Sequence, residues 1–234
     1  MAEDTIPRRK FLLGAGTAVA AGIAPNAEAQ TPAPAVAPVP ANEPVTYLTL
    51  SALEAAFVSA VADTMIPADE LSPSGTDCGV VVFIDRQLAG GFGGGAKLYR
   101  SGPFRKGKPE HGYQLPLTPR EFISVGIAAT NDWVRKVHRK DFHRLSAKER
   151  EDALKAVESG KAELGDFDGR QFFDALINLV MEGFFADPIY GGNRNKAAWK
   201  MIGYPGLPAL YANSIDEYRH KRYLVEPQSI ADVS

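Results

Sequence analysis

From Ser51 onward the apolar residues fall at three- and four-residue intervals, the spacing of one helical face, and no stretch alternates apolar with polar over the length of a strand. Ser51-Ala52-Leu53-Glu54 has the form of a capping box, in which the serine accepts from the third backbone N–H and the glutamate reaches back. Leu53, Phe57, Ala60, Val61 and Met65 then continue one face until Pro67 ends the helix. A second helix is predicted from about Asp77 to Leu88, although its Val80-Val81-Val82-Phe83-Ile84 run would also suit a strand. Thr118-Pro119-Arg120-Glu121 opens a third, with proline at the first helical position and Phe122, Val125, Ala129, Trp133 and Val137 expected on one side. Ser146-Ala147-Lys148-Glu149 is another box, opening a charged helix to about Ser159.

The segment from Gly169 to Phe185 differs. Its apolar residues cover most of the circumference, and Gln171, Asp174, Asn178 and Glu182 leave only a narrow polar stripe. Such a helix is buried on most sides, so it reads as the central helix of the domain, with an interface helix as the sharper alternative. The fold class is therefore mainly α: a compact helical domain of five to six helices, with long Gly/Pro-rich loops at 66–76, 90–117 and 186–213. Loops of that length in a compact domain usually carry a function, and here they suit recognition of a protein partner.

The N-terminus follows another logic. Arg8-Arg9-Lys10 precedes an apolar run from Phe11 to Ala24, too short for a bilayer crossing, which needs about twenty residues. Ala27-Glu28-Ala29 follows as a small-x-small cleavage site. Pro7 to Leu13 resembles a twin-arginine (Tat) export signal, with Arg8 and Arg9 as its pair. The expected organisation is a signal peptide over 1–29, a Pro/Ala-rich linker over 30–46, an all-α domain over 47–226 and a tail over 227–234. In the linker, Pro32, Pro34, Pro38, Pro40 and Pro44 favour extended polyproline conformation and a semi-rigid spacer.

Composition narrows the chemistry. With 26 Lys+Arg against 28 Asp+Glu the formal charge is −2, which gives no footprint for nucleic acid. The lone Cys78 excludes an intramolecular disulfide and a cysteine-based metal or iron–sulfur site, and reads as a small buried apolar residue. His111, His138, His143 and His220 show no metal-ligand spacing, and C-x-x-C-H and G-x-S-x-G are absent. Gly91-Phe92-Gly93-Gly94-Gly95-Ala96 matches G-x-G-x-x-A formally but lacks a strand before it, so a loop is the default. Asp85, Asp174 and Glu182 could serve acid–base chemistry, yet nothing local sets them apart from solvated or capping groups. No catalytic, cofactor-binding or metal residue is assigned.

The densest unusual stretch runs from Phe184 to Gly206. Asp187-Pro188 ends the central helix, Gly191-Gly192 permits a tight reversal, and Asn193 or Asn195 can cap a short helix carrying Trp199. Tyr190, Trp199 and Tyr204 either pack the loop onto the central helix or face a partner, and both can hold. This 23-residue stretch, F-F-A-D-P-I-Y-G-G-N-R-N-K-A-A-W-K-M-I-G-Y-P-G, is similar to the signature of the gluconate 2-dehydrogenase subunit 3 family. The Tat-like leader, Met65-Ile66-Pro67-Ala68-Asp69 and Ile84-Asp85-Arg86-Gln87-Leu88 also look like the family.

The resemblance implies a non-catalytic small subunit of a membrane-bound FAD-dependent sugar, sugar-acid or polyol dehydrogenase. The flavin would sit in a large glucose–methanol–choline-type subunit, and haem c in a multi-haem cytochrome subunit that passes electrons to ubiquinone. The small subunit would bind the large one, aid its maturation and carry it through the Tat translocase to the periplasmic face of the inner membrane. Asp187, Pro188, Tyr190, Gly191, Gly192, Asn193, Arg194, Trp199, Gly203, Pro205 and Gly206 are the expected structural or interface residues. An independent periplasmic α-helical binding or enzymatic protein is the alternative.

Overall fold

The computed structural model describes residues 46–233, apart from 106, 208 and 209. The expected signal peptide, with Arg8, Arg9, Ala27 and Ala29, lies outside the described residues, as does nearly all of the linker. Among the described residues six α-helices follow in order: α1 (Ala52–Met65), α2 (Val80–Ala89), α3 (Pro119–His138), α4 (Ala147–Glu158), α5 (Gly169–Phe185) and α6 (Ala197–Ile202). Among the described residues there is no strand, only an isolated parallel bridge between Gly206 and Gln228. No helix among them is long and apolar enough to cross a membrane.

The three expected capping boxes form, at Ser51/Glu54, Thr118/Glu121 and Ser146/Glu149. The first also ties two helices together, because the Glu54 carboxylate accepts from Ser124 Oγ on α3 at 2.6 Å. The valine-rich run is helical, and α2 begins at Val80 rather than Asp77. Gly79, at φ +80°, turns the chain immediately before it. All of Val80 to Ile84 is buried, which is why the run carries no amphipathic stripe and reads equally well as a strand.

Helix α5 is the central element and packs against α2, α3, α4 and α6. Phe172, Leu176 and Val180 are at most 1% exposed, and Phe57, Phe122, Phe142 and Phe167 surround Phe172 or one another at centroid distances of 4.7–6.5 Å. Each fully buried ring contributes about 1.5–3 kcal/mol of transfer free energy. Two glycines allow this close packing. A Cβ at Gly126 on α3 would overlap the Phe172 ring, and one at Gly183 on α5 would sit 2.9 Å from the Phe83 ring.

Some expected faces are displaced. On α3 the buried side is Phe122, Ile123, Gly126, Ile127, Thr130, Asn131 and Val134, whereas Val125 is 42% and Val137 56% exposed. Glycine, threonine and asparagine disguised that side, and Asn131 is buried because its Oδ1 accepts the Phe142 N–H at 3.0 Å. Leu53 on α1 and Met181 on α5 are likewise exposed rather than in the core.

Asp85 has the role that sequence left open. It is 2% exposed, and its carboxylate accepts the backbone N–H groups of Leu48, Thr49 and Leu50 at 2.7–2.9 Å, fastening the entering chain to α2. Asp174 and Glu182 are exposed on α5.

Candidate functional site

After α5, the chain from Asp187 to Gly206 folds as two single turns, at Pro188–Tyr190 and Arg194–Lys196, followed by α6. Asp187 opens the first turn by accepting the Ile189 N–H, while its other oxygen accepts the Ile230 N–H. Gly191, at φ +97°, reverses the chain. The reversal is tight on every side: a Cβ at Gly192 would overlap the Gly183 carbonyl, one at Gly191 would fall 2.7 Å from Arg86 Nη1, and one at Gly79 would overlap the Gly191 carbonyl. Four glycines thus meet in backbone-to-backbone pairs, Gly79 before α2 with Gly191 and Gly183 on α5 with Gly192, an approach only glycine permits.

Asn193 is the keystone of this contact. It has no exposed surface and sits at φ +43°, where asparagine is tolerated better than most residues. Its N–H donates to the Gly183 carbonyl, its Nδ2 to the Ala186 carbonyl, and its Oδ1 accepts the Ala198 N–H at 2.9 Å. The last bond supplies a partner to the first turn of α6, but Lys196 occupies the cap position, so neither Asn193 nor Asn195 is the capping residue that sequence offered. Trp199 is buried, and its indole N–H donates to the Phe185 carbonyl at 2.8 Å. Arg194 closes the loop onto the start of α2, its N–H donating to the Cys78 carbonyl and its guanidinium to the Asp77 carbonyl.

Cys78 is buried beneath this contact. Burial, reinforced by the neighbouring Asp77 charge, pushes its thiol up to about 11, so it is neutral and unreactive at physiological pH. Arg86, under Gly191, is held below its ordinary value by burial.

Residues 227–232, which sequence alone set apart as a tail, pack against this loop. Gln228 exchanges backbone hydrogen bonds with Pro205 and Leu207, and Lys196 Nζ reaches the Pro227 carbonyl and Asp232. The backbone N–H of Ser229, the Lys196 ammonium and the Ser229 hydroxyl hold the Asp232 carboxyl well below the usual carboxylate range. Lys196 does not stand out in sequence because it acts through chain-distant partners, whereas Ser229 and Asp232 form a local capping box of the same kind as the three read from sequence.

The expected residues therefore divide. Gly192, Asn193, Trp199 and Gly206 are buried; Asp187, Pro188, Gly191, Arg194 and Pro205 are half-buried in the loop's own bonding; Tyr190 (51% exposed), Gly203 and Tyr204 (44%) face outward. Trp199 packs the loop onto α5, as one expectation had it, while Tyr190 and Tyr204 lie at the surface. Among the described residues no group of three or more His, Cys, Asp or Glu is placed to hold a metal ion. The Gly91–Gly95 loop follows a helix and hydrogen-bonds within itself and to Arg120, which is not the strand-to-helix setting that phosphate binding needs.

The family model of gluconate 2-dehydrogenase subunit 3 matches residues 52–206. The chain belongs to that family. The matched span runs from the first residue of α1 to the last glycine of the signature, so the gluconate 2-dehydrogenase subunit 3 match takes in all six helices and the interlocked loop. Neither a curated protein nor a solved structure matches.

Proposed function

We propose that the chain is the non-catalytic small subunit of a membrane-bound, FAD-dependent dehydrogenase of sugars, sugar acids or polyols, and that it binds the flavoprotein large subunit, aids its maturation and accompanies it through Tat export. The observation that carries this reading is the family match across the whole helical body. The geometry is consistent with it: the signature spends its polar groups on its own fold and leaves Tyr190, Ile202 and Tyr204 outward, tyrosine being a residue type enriched at protein interfaces. FAD would be held by the large subunit and haem c by a cytochrome subunit, with the complex at the periplasmic face of the inner membrane.

The test is export of the large subunit. Replacing Arg8 and Arg9 by lysine in the full chain, or deleting its gene, leaves the flavoprotein in the cytoplasm and abolishes periplasmic dehydrogenase activity. Normal export of an active flavoprotein without this chain would overturn the escort role.

A further inference from the structure

The loop joining α2 to α3 presents a surface that the subunit reading does not use. Both of its ends are fixed. The Gly93 carbonyl accepts the Arg120 N–H at 3.2 Å, the Leu98 N–H closes a turn on the Gly95 carbonyl, and Tyr113 stacks on the buried Phe122 with ring centroids 4.0 Å apart. Between these anchors the chain stands in solvent. Tyr99 is 82% exposed, and Leu98, Phe104 and Leu115 are each 40–43% exposed. Lys97, Arg100, Arg105 and Lys108 are exposed beside them, and none of the four forms an ion pair among the described residues.

Charge and apolarity share one face. Leu98, Tyr99, Arg100, Phe104 and Leu115 line one groove of about 200 Å³. Glu110 is the one acidic residue in the sequence between Asp85 and Glu121, in a chain whose formal charge is −2. The basic run from Arg219 to Arg222 is different: Asp216 pairs with Arg219 at 2.7 Å, and Glu217 and Glu226 flank the run. Aromatic rings interleaved with lysine and arginine suit a bilayer interface. The rings sit at the level of the headgroups, the basic side chains reach the phosphates, and binding grows with both contributions. A protein interface selects differently, because lysine is depleted there, and Lys97 and Lys108 are half of the loop's exposed cations. We propose that Tyr99 and Phe104 enter the headgroup region of an anionic phospholipid bilayer, with Lys97, Arg100, Arg105 and Lys108 against its phosphates.

The charge of the lipid decides the strength. A zwitterionic bilayer has no net charge to attract the four cations, whereas an anionic one strengthens binding about fivefold for each Lys or Arg brought to its surface. Because Tyr113 and Arg120 already hold the loop to α3, little chain entropy is lost on docking. The proposal is independent of the small-subunit reading: it concerns this chain and a bilayer alone, and a failed export experiment would leave it standing.

The test uses the full chain with an environment-sensitive fluorophore on Ser101→Cys, in the loop, or on Glu158→Cys, exposed at the end of α4, as the control position. Cys78 is buried and takes no label in the native chain. Arg8, Arg9 and Lys10 are replaced by glutamine throughout, so that their charge makes no contribution. Vesicles of equimolar phosphatidylglycerol and phosphatidylcholine, or of phosphatidylcholine alone, are titrated in. The Ser101 label shifts to the blue on the anionic vesicles and not on the zwitterionic ones, and the Glu158 label does not shift. Arg105→Gln with Lys108→Gln weakens the titration at least about tenfold. Tyr99→Ser with Phe104→Ser weakens it too, and unchanged helical circular dichroism shows that both variants fold. Absence of a shift on the anionic vesicles overturns the proposal, as does an equal shift on both vesicle types or at both label positions. Titration indifferent to the four substitutions also overturns it. So does an equal shift with poly-glutamate, which would mean that the acidic surface of a protein satisfies the loop.

Discussion

Asn193 offers the sharpest test of how the signature loop works. In Asn193→Ala two side-chain hydrogen bonds disappear. The Ala198 N–H, buried at the start of α6, loses its partner, and the Ala186 carbonyl, partly open to water, loses another. An orphaned buried group costs about 1–3 kcal/mol, so about 2 kcal/mol is expected for Ala198 and about 1 kcal/mol for Ala186. Alanine at φ +43° adds about 1 kcal/mol of backbone strain, giving about 3–4 kcal/mol in all. Asn193→Gly removes the same bonds without that strain and should cost about 1 kcal/mol less. Urea unfolding of the full chain followed by helical circular dichroism measures both, provided the slope m is unchanged. A loss under about 1 kcal/mol for Asn193→Ala, or a glycine variant weaker than the alanine variant, would refute the role assigned to this side chain.

Other consequences follow from packing and titration. Gly126→Ala forces α3 off the Phe172 ring and should destabilise by about 1–3 kcal/mol or more, read as a lowered melting temperature, whereas Gly203→Ala, where a Cβ meets nothing, costs only the strain of φ +70°. Cys78, buried and with its thiol at about 11, should react with a thiol reagent at pH 8 only on unfolding; rapid labelling of the native chain would contradict this. Burial raises the Glu54 carboxyl, but bonds from Ser124 and Ser51 outweigh it and hold the group below its ordinary value. Its contribution to stability is therefore present above about pH 4.3, the unfolded value, and is lost as pH falls below it. Glu54→Gln should flatten that part of the pH–stability curve, and an unchanged acid limb would exclude the effect.

Sequence exposed the local devices and hid the long-range ones. Ser51, Thr118 and Ser146 act within four residues of themselves, so their capping boxes are legible as written. The bounds of α5 are legible too, because Asp168 caps its start and Pro188 follows its end. The buried face of α3 is not, since Gly126, Thr130 and Asn131 are in the core for reasons supplied by Phe172 and Phe142. Asp85 looks like any carboxylate until Leu48 to Leu50 arrive from 35 to 37 residues away. In the signature, composition marked the region as unusual, but only the backbone contacts of Gly79 with Gly191 and of Gly183 with Gly192 explain why glycines stand there.

The role as a subunit is tested most directly by co-purification. Affinity-tagged full chain, co-expressed with the large flavoprotein subunit, should elute with it in fixed stoichiometry and with flavin absorbance in proportion to the partner. Tyr190→Ala with Tyr204→Ala should weaken that association while leaving helical content intact, because both side chains are exposed. Elution of the folded chain alone, without flavin, would contradict the small-subunit assignment.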